Sequence, residues 1–227
     1  MSTRFAVYLV PPAGGAFYDL GSSALGYDVR AGREVARLPG LRPAWVAKAG
    51  QYGFHLTVVE ALDCDAASFP AIEREIAAVC ACFSPGARLR LSNGRTEVWD
   101  GGEVIVQRYD ANDTLKILHA LLTARLARFA IGSSFEREIG ADPGKYPKPF
   151  ERARIELFRT PRGLDTWAPH FTLLEPYTGK NSAELAAEFE ERFESFGTLD
   201  FEGVTLLRQD GGEKYRVVRD FEVGVGA

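Results

Sequence analysis

The sequence predicts an α+β fold of two pseudo-symmetric lobes, each an antiparallel sheet packed by helices, with a central cleft between them. Three observations support this. His55-Leu56-Thr57-Val58 and His170-Phe171-Thr172-Leu173 repeat one tetrad, histidine–apolar–threonine–apolar, in a chain with only three histidines. Each tetrad opens the same succession of histidine strand, turn, amphipathic helix and hairpin, first over Tyr52–Tyr109 and again over Ala168–Val223. Strands and helices also follow one another without the regular spacing of parallel crossovers, the pattern of antiparallel sheets with segregated helices.

The elements follow in order. Phe5–Val10 alternates as a strand and is stopped by Pro11-Pro12. Ala13–Gly26, with Gly14-Gly15 and Gly21-Ser22-Ser23, matches neither a Gly-Lys-Ser/Thr phosphate loop nor a dinucleotide glycine triplet, and is expected to be a structured loop near the site. Turn residues between Arg33 and Gly53 lead into the first histidine strand, Phe54–Leu62. Ser68 is expected to cap a helix to about Phe83, with Phe69, Ile72, Ile76, Val79 and Cys80 on one stripe. Strands follow at Ala87–Leu91 and Glu103–Tyr109. Asn112 or Asp113 then caps a helix marked by Leu115, Leu118, Leu122, Leu126 and Phe129. The third histidine, His119, lies in that helix without a threonine partner and reads as a surface or packing residue. Gly132–Phe150 is expected to be loop, Arg152–Phe158 a strand, and Pro169–Glu175 the second histidine strand. Ser182 opens a helix to about Phe196 with Leu185, Phe189 and Phe193 inward. Phe201–Leu207 and Lys214–Val223 close the chain as a hairpin around Asp210-Gly211-Gly212.

The 227 residues suffice for one bilobal domain, 1–227, with a substantial core. Apolar residues at 46% and charged residues at 26% describe an ordinary globular chain. A formal charge of −4 gives no general attraction to polyanions, so nucleic acid is expected as a partner only in the form of short RNA ends. No apolar run approaches a membrane span, and the first ten residues alternate like a strand rather than forming a leader's apolar core. Three cysteines, two of them at Cys80 and Cys82, fit reduced thiols and a cytoplasmic location.

In a strand, residues two apart share a face, so each tetrad presents an imidazole beside a hydroxyl while its apolar pair fills the other side. Two matches among three histidines are a coincidence on the order of one in a thousand. Two imidazoles on one cleft are the minimum equipment for general acid–base chemistry near neutrality. No His-Glu-x-x-His, Cys-x-x-Cys pair or Gly-x-Ser-x-Gly elbow is present, so neither a metal site nor a serine nucleophile is expected. Lys145, Lys148, Arg152 and Arg154, with Tyr146 among them, read either as a phosphate clamp or as a solvated basic linker. Tyr27, Tyr52 and Tyr177 flank key segments and can either stack on a ligand or pack the rim.

The paired tetrads resemble the 2H phosphoesterase superfamily, and the likeness spans both lobes. Phe5-Ala6-Val7-Tyr8 with Pro11-Pro12, Leu20-Gly21-Ser22-Ser23 with Leu25-Gly26-Tyr27-Asp28, and Tyr52-Gly53-Phe54-His55 resemble its phosphonate-metabolism branch. That branch carries a lysine soon after the first tetrad, where this chain has Val59-Glu60. The resemblance implies hydrolysis of a small cyclic phosphate, a 2′,3′-cyclic nucleotide or cyclic sugar phosphate, with no cofactor. His55 and His170 would be acid and base, and Thr57 and Thr172 donors to the phosphate. Tyr52, Lys145, Lys148, Arg152 and Tyr177 are the expected substrate contacts. Cyclic-phosphodiesterase or 2′-5′ ligase chemistry on RNA ends, and a phosphoester-binding module without turnover, are the alternatives.

Overall fold

The computed structural model describes residues 3–225. Its strands are β1 Thr3–Leu9, β2 Tyr27–Asp28, β3 Arg33–Glu34, β4 Leu56–Cys64, β5 Leu89–Trp99, β6 Val104–Ala111, β7 Gly132–Ser133, β8 His170–Leu174, β9 Leu199–Phe201, β10 Gly203–Asp210 and β11 Arg216–Glu222. Its helices are α1 Ala16–Leu25, α2 Phe69–Cys80, α3 Asp113–Leu126, α4 Ser134–Ala141, α5 Pro149–Phe158 and α6 Ser182–Phe193.

Apart from the small β2–β3 pair, these strands form one curled sheet in the order β11-β10-β1-β4-β8-β6-β5-β9, with β7 also pairing β4. All its pairings are antiparallel. The nine strands divide into two halves, β11-β10-β1-β4 with β7 added on β4, and β8-β6-β5-β9, which meet where β4 touches β8 at a single residue pair, Leu56 with Phe171. β4 and β8 share no other ladder pair among the described residues. The halves exchange their hairpins: β5–β6, which follows the first histidine strand, completes the second half, and β10–β11 completes the first. The duplication read from sequence is thus a duplication of order, with the hairpins crossed over.

Helices cover the sheet. The α2 and α3 helices pack on each other with α3 against β4, while α6 packs against β5 and β6 and α1 against β8. Beneath the junction lies an aromatic cluster: Phe54 stacks on Phe171 with centroids 4.8 Å apart, and Phe17 of α1 meets both rings edge-on at 5.1 and 5.0 Å.

Four sequence expectations are corrected. Ala13–Gly26 is largely helix, because Gly21 allows α1 to lie directly on Phe54. A Cβ at Gly21 would sit 2.3 Å from that ring. Arg152–Phe158 is helical rather than extended. Pro149 occupies the first turn after an extended Lys148, and the Glu151 carboxylate accepts from the Lys148 N–H at 3.3 Å. Its apparent alternation has no buried face, since Ile155 is buried while Ala153 and Leu157 are exposed. The loop expected over Gly132–Phe150 holds β7, α4 and the start of α5; Ser133 caps α4 by accepting from the Glu136 N–H. Ser68 makes no cap; Asp65 accepts from the Ala67 N–H in the 3₁₀ turn just before α2. Asn112 does cap α3, accepting from the Leu115 N–H at 3.1 Å.

Candidate active site

The Leu56–Phe171 pair fixes the site. Paired residues in an antiparallel ladder point to the same face, and here both side chains are fully buried. Alternation then sends His55, Thr57, His170 and Thr172 to the opposite face, where all four are partly exposed. Directly opposed and diagonal positions at such a junction are about 5 and 7–8 Å apart, so the four groups share one small patch.

Both imidazoles are held by the same device. His55 Nδ1 lies 2.8 Å from the Gly53 carbonyl, and His170 Nδ1 lies 2.6 Å from the Ala168 carbonyl, each two residues upstream. A carbonyl only accepts, so Nδ1 carries the hydrogen and Nε2 is left for chemistry in both rings. Gly53 has φ +74°, and a Cβ there would lie 2.4 Å from Val29, so only glycine presents that carbonyl without strain. Thr57 Oγ1 is 3.3 Å from His55 Nε2.

The surroundings differ between halves. Tyr8, cross-strand from Thr57, stacks on His55 with centroids 3.8 Å apart, and Tyr52 lies 5.9 Å from the same ring. On the other side the Trp99 ring meets His170 edge-on at 4.6 Å, and Arg108 is its cross-strand neighbour on β6. Burial pushes the His55 imidazole down to about 4; the Gly53 carbonyl opposes this and the charge of His170 adds to it. Burial also lowers His170, helped by Arg162 and Arg108, while the Ala168 carbonyl and the Glu175 carboxylate raise it.

Extending the tetrads by two residues reveals a longer repeat that the sequence reading missed. His55-Leu56-Thr57-Val58-Val59-Glu60 and His170-Phe171-Thr172-Leu173-Leu174-Glu175 both end in glutamate. Simple alternation would put a residue three beyond each threonine on the core side. A register shift intervenes in both strands: one step from Tyr8 to Val7 spans Thr57 to Val59, with a second shift between Val59 and Leu62, and one step from Val106 to Ile105 spans Thr172 to Leu174. The bulged residue lets Val58 and Val59, like Leu173 and Leu174, be buried in succession, and returns Glu60 and Glu175 to the site face. Burial raises the Glu60 carboxyl above its ordinary range, Arg162, Arg4 and Lys48 oppose the shift, and Glu175 adds to it. Glu175 pairs with Lys48 at 2.5 Å, and its carbonyl accepts from the Lys48 N–H at 3.0 Å.

Of the expected substrate contacts, Tyr52 is brought to the site. Lys145 pairs with Glu138 at 2.9 Å, Lys148 lies 3.8 Å from Glu151, and Arg152 donates to the Tyr146 carbonyl at 2.9 Å, so these three make their polar contacts within the α4–α5 segment. Tyr177 is buried, with its ring 4.9 Å from that of Trp45 and its hydroxyl donating to Asn181 at 2.6 Å. His119 is buried rather than on the surface, stacked on Trp167 at 4.3 Å, with Nδ1 on the Val58 carbonyl and Nε2 accepting from the Leu164 N–H. A cavity of about 470 Å³ lies beside the site, lined by Lys48, Gln51, Glu103 and Glu175 but by none of the tetrad residues. Among the described residues no group of three or more His, Cys, Asp or Glu side chains converges as metal ligands would, and no helix is long and apolar enough to cross a membrane.

No family model matches the chain, and no curated protein does. Among solved structures, TT0787 of Thermus thermophilus superposes with a TM-score of 0.52 at 17% identity, over 97% of this chain and 98% of that one. The two share a fold. LigT of E. coli complexed with 3′-AMP gives 0.47 at 16% identity, covering 98% and 99% of the respective chains. Usb1 of Kluyveromyces marxianus with uridine monophosphate gives 0.40 at 7%, covering 97% and 98%.

Proposed function

We propose that this chain is a metal-independent phosphodiesterase of the 2H type acting on a small cyclic phosphate, a 2′,3′-cyclic nucleotide or cyclic sugar phosphate, with a role in phosphonate metabolism. One observation carries the reading: the Leu56–Phe171 pair sets two histidines and two threonines on one face, each imidazole with Nδ1 held by a backbone carbonyl and Nε2 turned to the site, that of His55 beside the Thr57 hydroxyl. His55, the more strongly depressed imidazole, is neutral near pH 7 and serves as base. Its Nε2 takes a proton from water as the water oxygen bonds to phosphorus. The ester bond to the leaving oxygen breaks, and His170 Nε2–H gives that oxygen its proton, leaving a phosphomonoester and a free hydroxyl. Thr57 and Thr172 donate to the non-bridging oxygens as charge builds on them. Each proton transfer contributes on the order of 10²–10⁴ in rate.

The test is a screen of 2′,3′-cyclic nucleotides and cyclic ribose phosphates in chelator, with products followed by phosphorus NMR. His55→Ala and His170→Ala are expected to lose at least about 10² in kcat while remaining folded. Undiminished turnover by the double variant would end the proposal. A salt dependence steeper than one or two phosphate contacts allow would instead indicate RNA ends as the substrate.

A further inference from the structure

The two glutamates that complete the repeat occupy equivalent positions but differ in state. Glu175 is neutralised by Lys48 and its backbone is tied to the 45–49 turn, with its N–H on the Trp45 carbonyl at 2.9 Å. Glu60 is half-buried, yet among the described residues no hydrogen bond or ion pair engages its carboxylate. The Arg162 guanidinium likewise has no carboxylate within ion-pair distance among those residues. Glu60, Arg162 and Thr57 line one slot of about 20 Å³, room for about one water, which runs back to His119, Thr123 and Trp167. A carboxylate without a protein donor is open to a ligand's hydroxyl, and a ligand that brings one gains a hydrogen bond to a charged acceptor. Thr57 is the one residue of the slot that also belongs to the proposed catalytic set, so a donor reaching Glu60 from the site passes it. An ammonium there would face Arg162 and Arg4, and a second phosphate would face the carboxylate itself. A neutral hydroxyl suits the position best.

We infer that Glu60 is a specificity-determining residue that accepts a hydrogen bond from a free sugar hydroxyl, so that the site selects cyclic phosphates of polyols over bare phosphodiesters. This rests on the phosphodiesterase reading. It is tested by binding, in a His170→Ala background that suppresses turnover, with titration calorimetry of adenosine 2′,3′-cyclic phosphate, its 5′-deoxy counterpart and inorganic phosphate. With Glu60 present, the hydroxyl-bearing compound is expected to bind about tenfold tighter than the deoxy one, in line with a hydrogen bond to a charged group. Glu60→Leu should bring that ratio to within about twofold while tightening inorganic phosphate, because a repelling charge has gone. Glu60→Gln, which keeps an acceptor oxygen, should retain part of the discrimination. A merely structural role would weaken all three ligands together. Discrimination that survives Glu60→Leu, or is absent beforehand, or no binding of either nucleotide at millimolar concentration, would overturn the inference. Discriminating binding by the unaltered chain without any hydrolysis would overturn the phosphodiesterase reading and leave the role of Glu60 standing.

Discussion

Changing pH separates the two imidazoles, because the fold depresses them unequally. Burial takes His55 to about 4, and burial together with Arg162 and Arg108 holds His170 below its ordinary 6.5. A base must be unprotonated, so His55 is competent above about pH 4. An acid must carry its proton, so His170 loses competence as pH rises through a value below 6.5. The kcat/KM profile is therefore expected to be bell-shaped with its maximum between those limits, and its two apparent values belong to the pair, since each ring feels the other's charge. At pH 7.5, a full unit above the ordinary histidine value, about a tenth or less of His170 is protonated. The rate constant should then lie roughly tenfold or more below its maximum and fall tenfold per further unit. Binding of an anionic diester raises both imidazoles, so the kcat profile should sit to the alkaline side of the kcat/KM profile. The measurement is kcat/KM from pH 3.5 to 8.5 at constant ionic strength in chelator. A flat or rising profile between pH 6.5 and 8.5 would refute this assignment of acid and base.

Thr57→Val and Thr172→Val keep shape but remove a donor, and each should cost on the order of 10²–10³ in kcat, with little change in melting temperature. His119→Ala breaks hydrogen bonds of 2.7 and 3.0 Å and a ring stack, and should lower stability to urea by about 2–4 kcal/mol. Since His119 bonds the first tetrad through the Val58 carbonyl and not through His55 or Thr57, kcat of the folded variant should stay within about tenfold. Gly21→Ala drives a methyl into the Phe54 ring and should cost about 1–3 kcal/mol, read as a shifted denaturant midpoint with unchanged slope.

The tetrads were legible because strand alternation is local: given a strand, His55 and Thr57 must share a face, and Leu56 must face the core. Their convergence was legible only as a duplication, since a pairing between residues more than a hundred positions apart leaves no local trace. The exchanged hairpins had none either, because the order of elements is the same whether each half keeps its own hairpin or takes the other's. Glu60 and Glu175 escaped for a different reason. Period-two reasoning places a residue at an odd offset from threonine on the wrong face, and a single bulged residue reverses that. The signal that would have found them, the identical glutamate at both hexad ends, lay in plain sequence. Arg108 and Arg162 join the site through register and chain reversal, which composition does not encode. The α5 helix was misread because Ala153, Ile155 and Leu157 alternate, and only the Pro149 start betrayed the helix.

A duplicated scaffold with one motif per half would, if its symmetry were kept, give two histidines of equal basicity, and equal groups divide acid and base roles poorly. Several departures from symmetry distinguish the surroundings of the two rings. Tyr8 covers the flat face of His55, whereas Trp99 meets His170 edge-on. Lys48 pairs with Glu175, whose field favours the protonated form of His170, whereas among the described residues Glu60 has no ion-pair partner and burial raises its carboxyl. The backbone thus supplies two equivalent sites, and the side chains around them make one imidazole the easier to keep neutral. A lysine introduced on the Glu60 side, as the equivalent of Lys48, would add a positive charge that disfavours the protonated form of either imidazole. Such a variant should move both limbs of the pH profile to lower pH before it changes the fold.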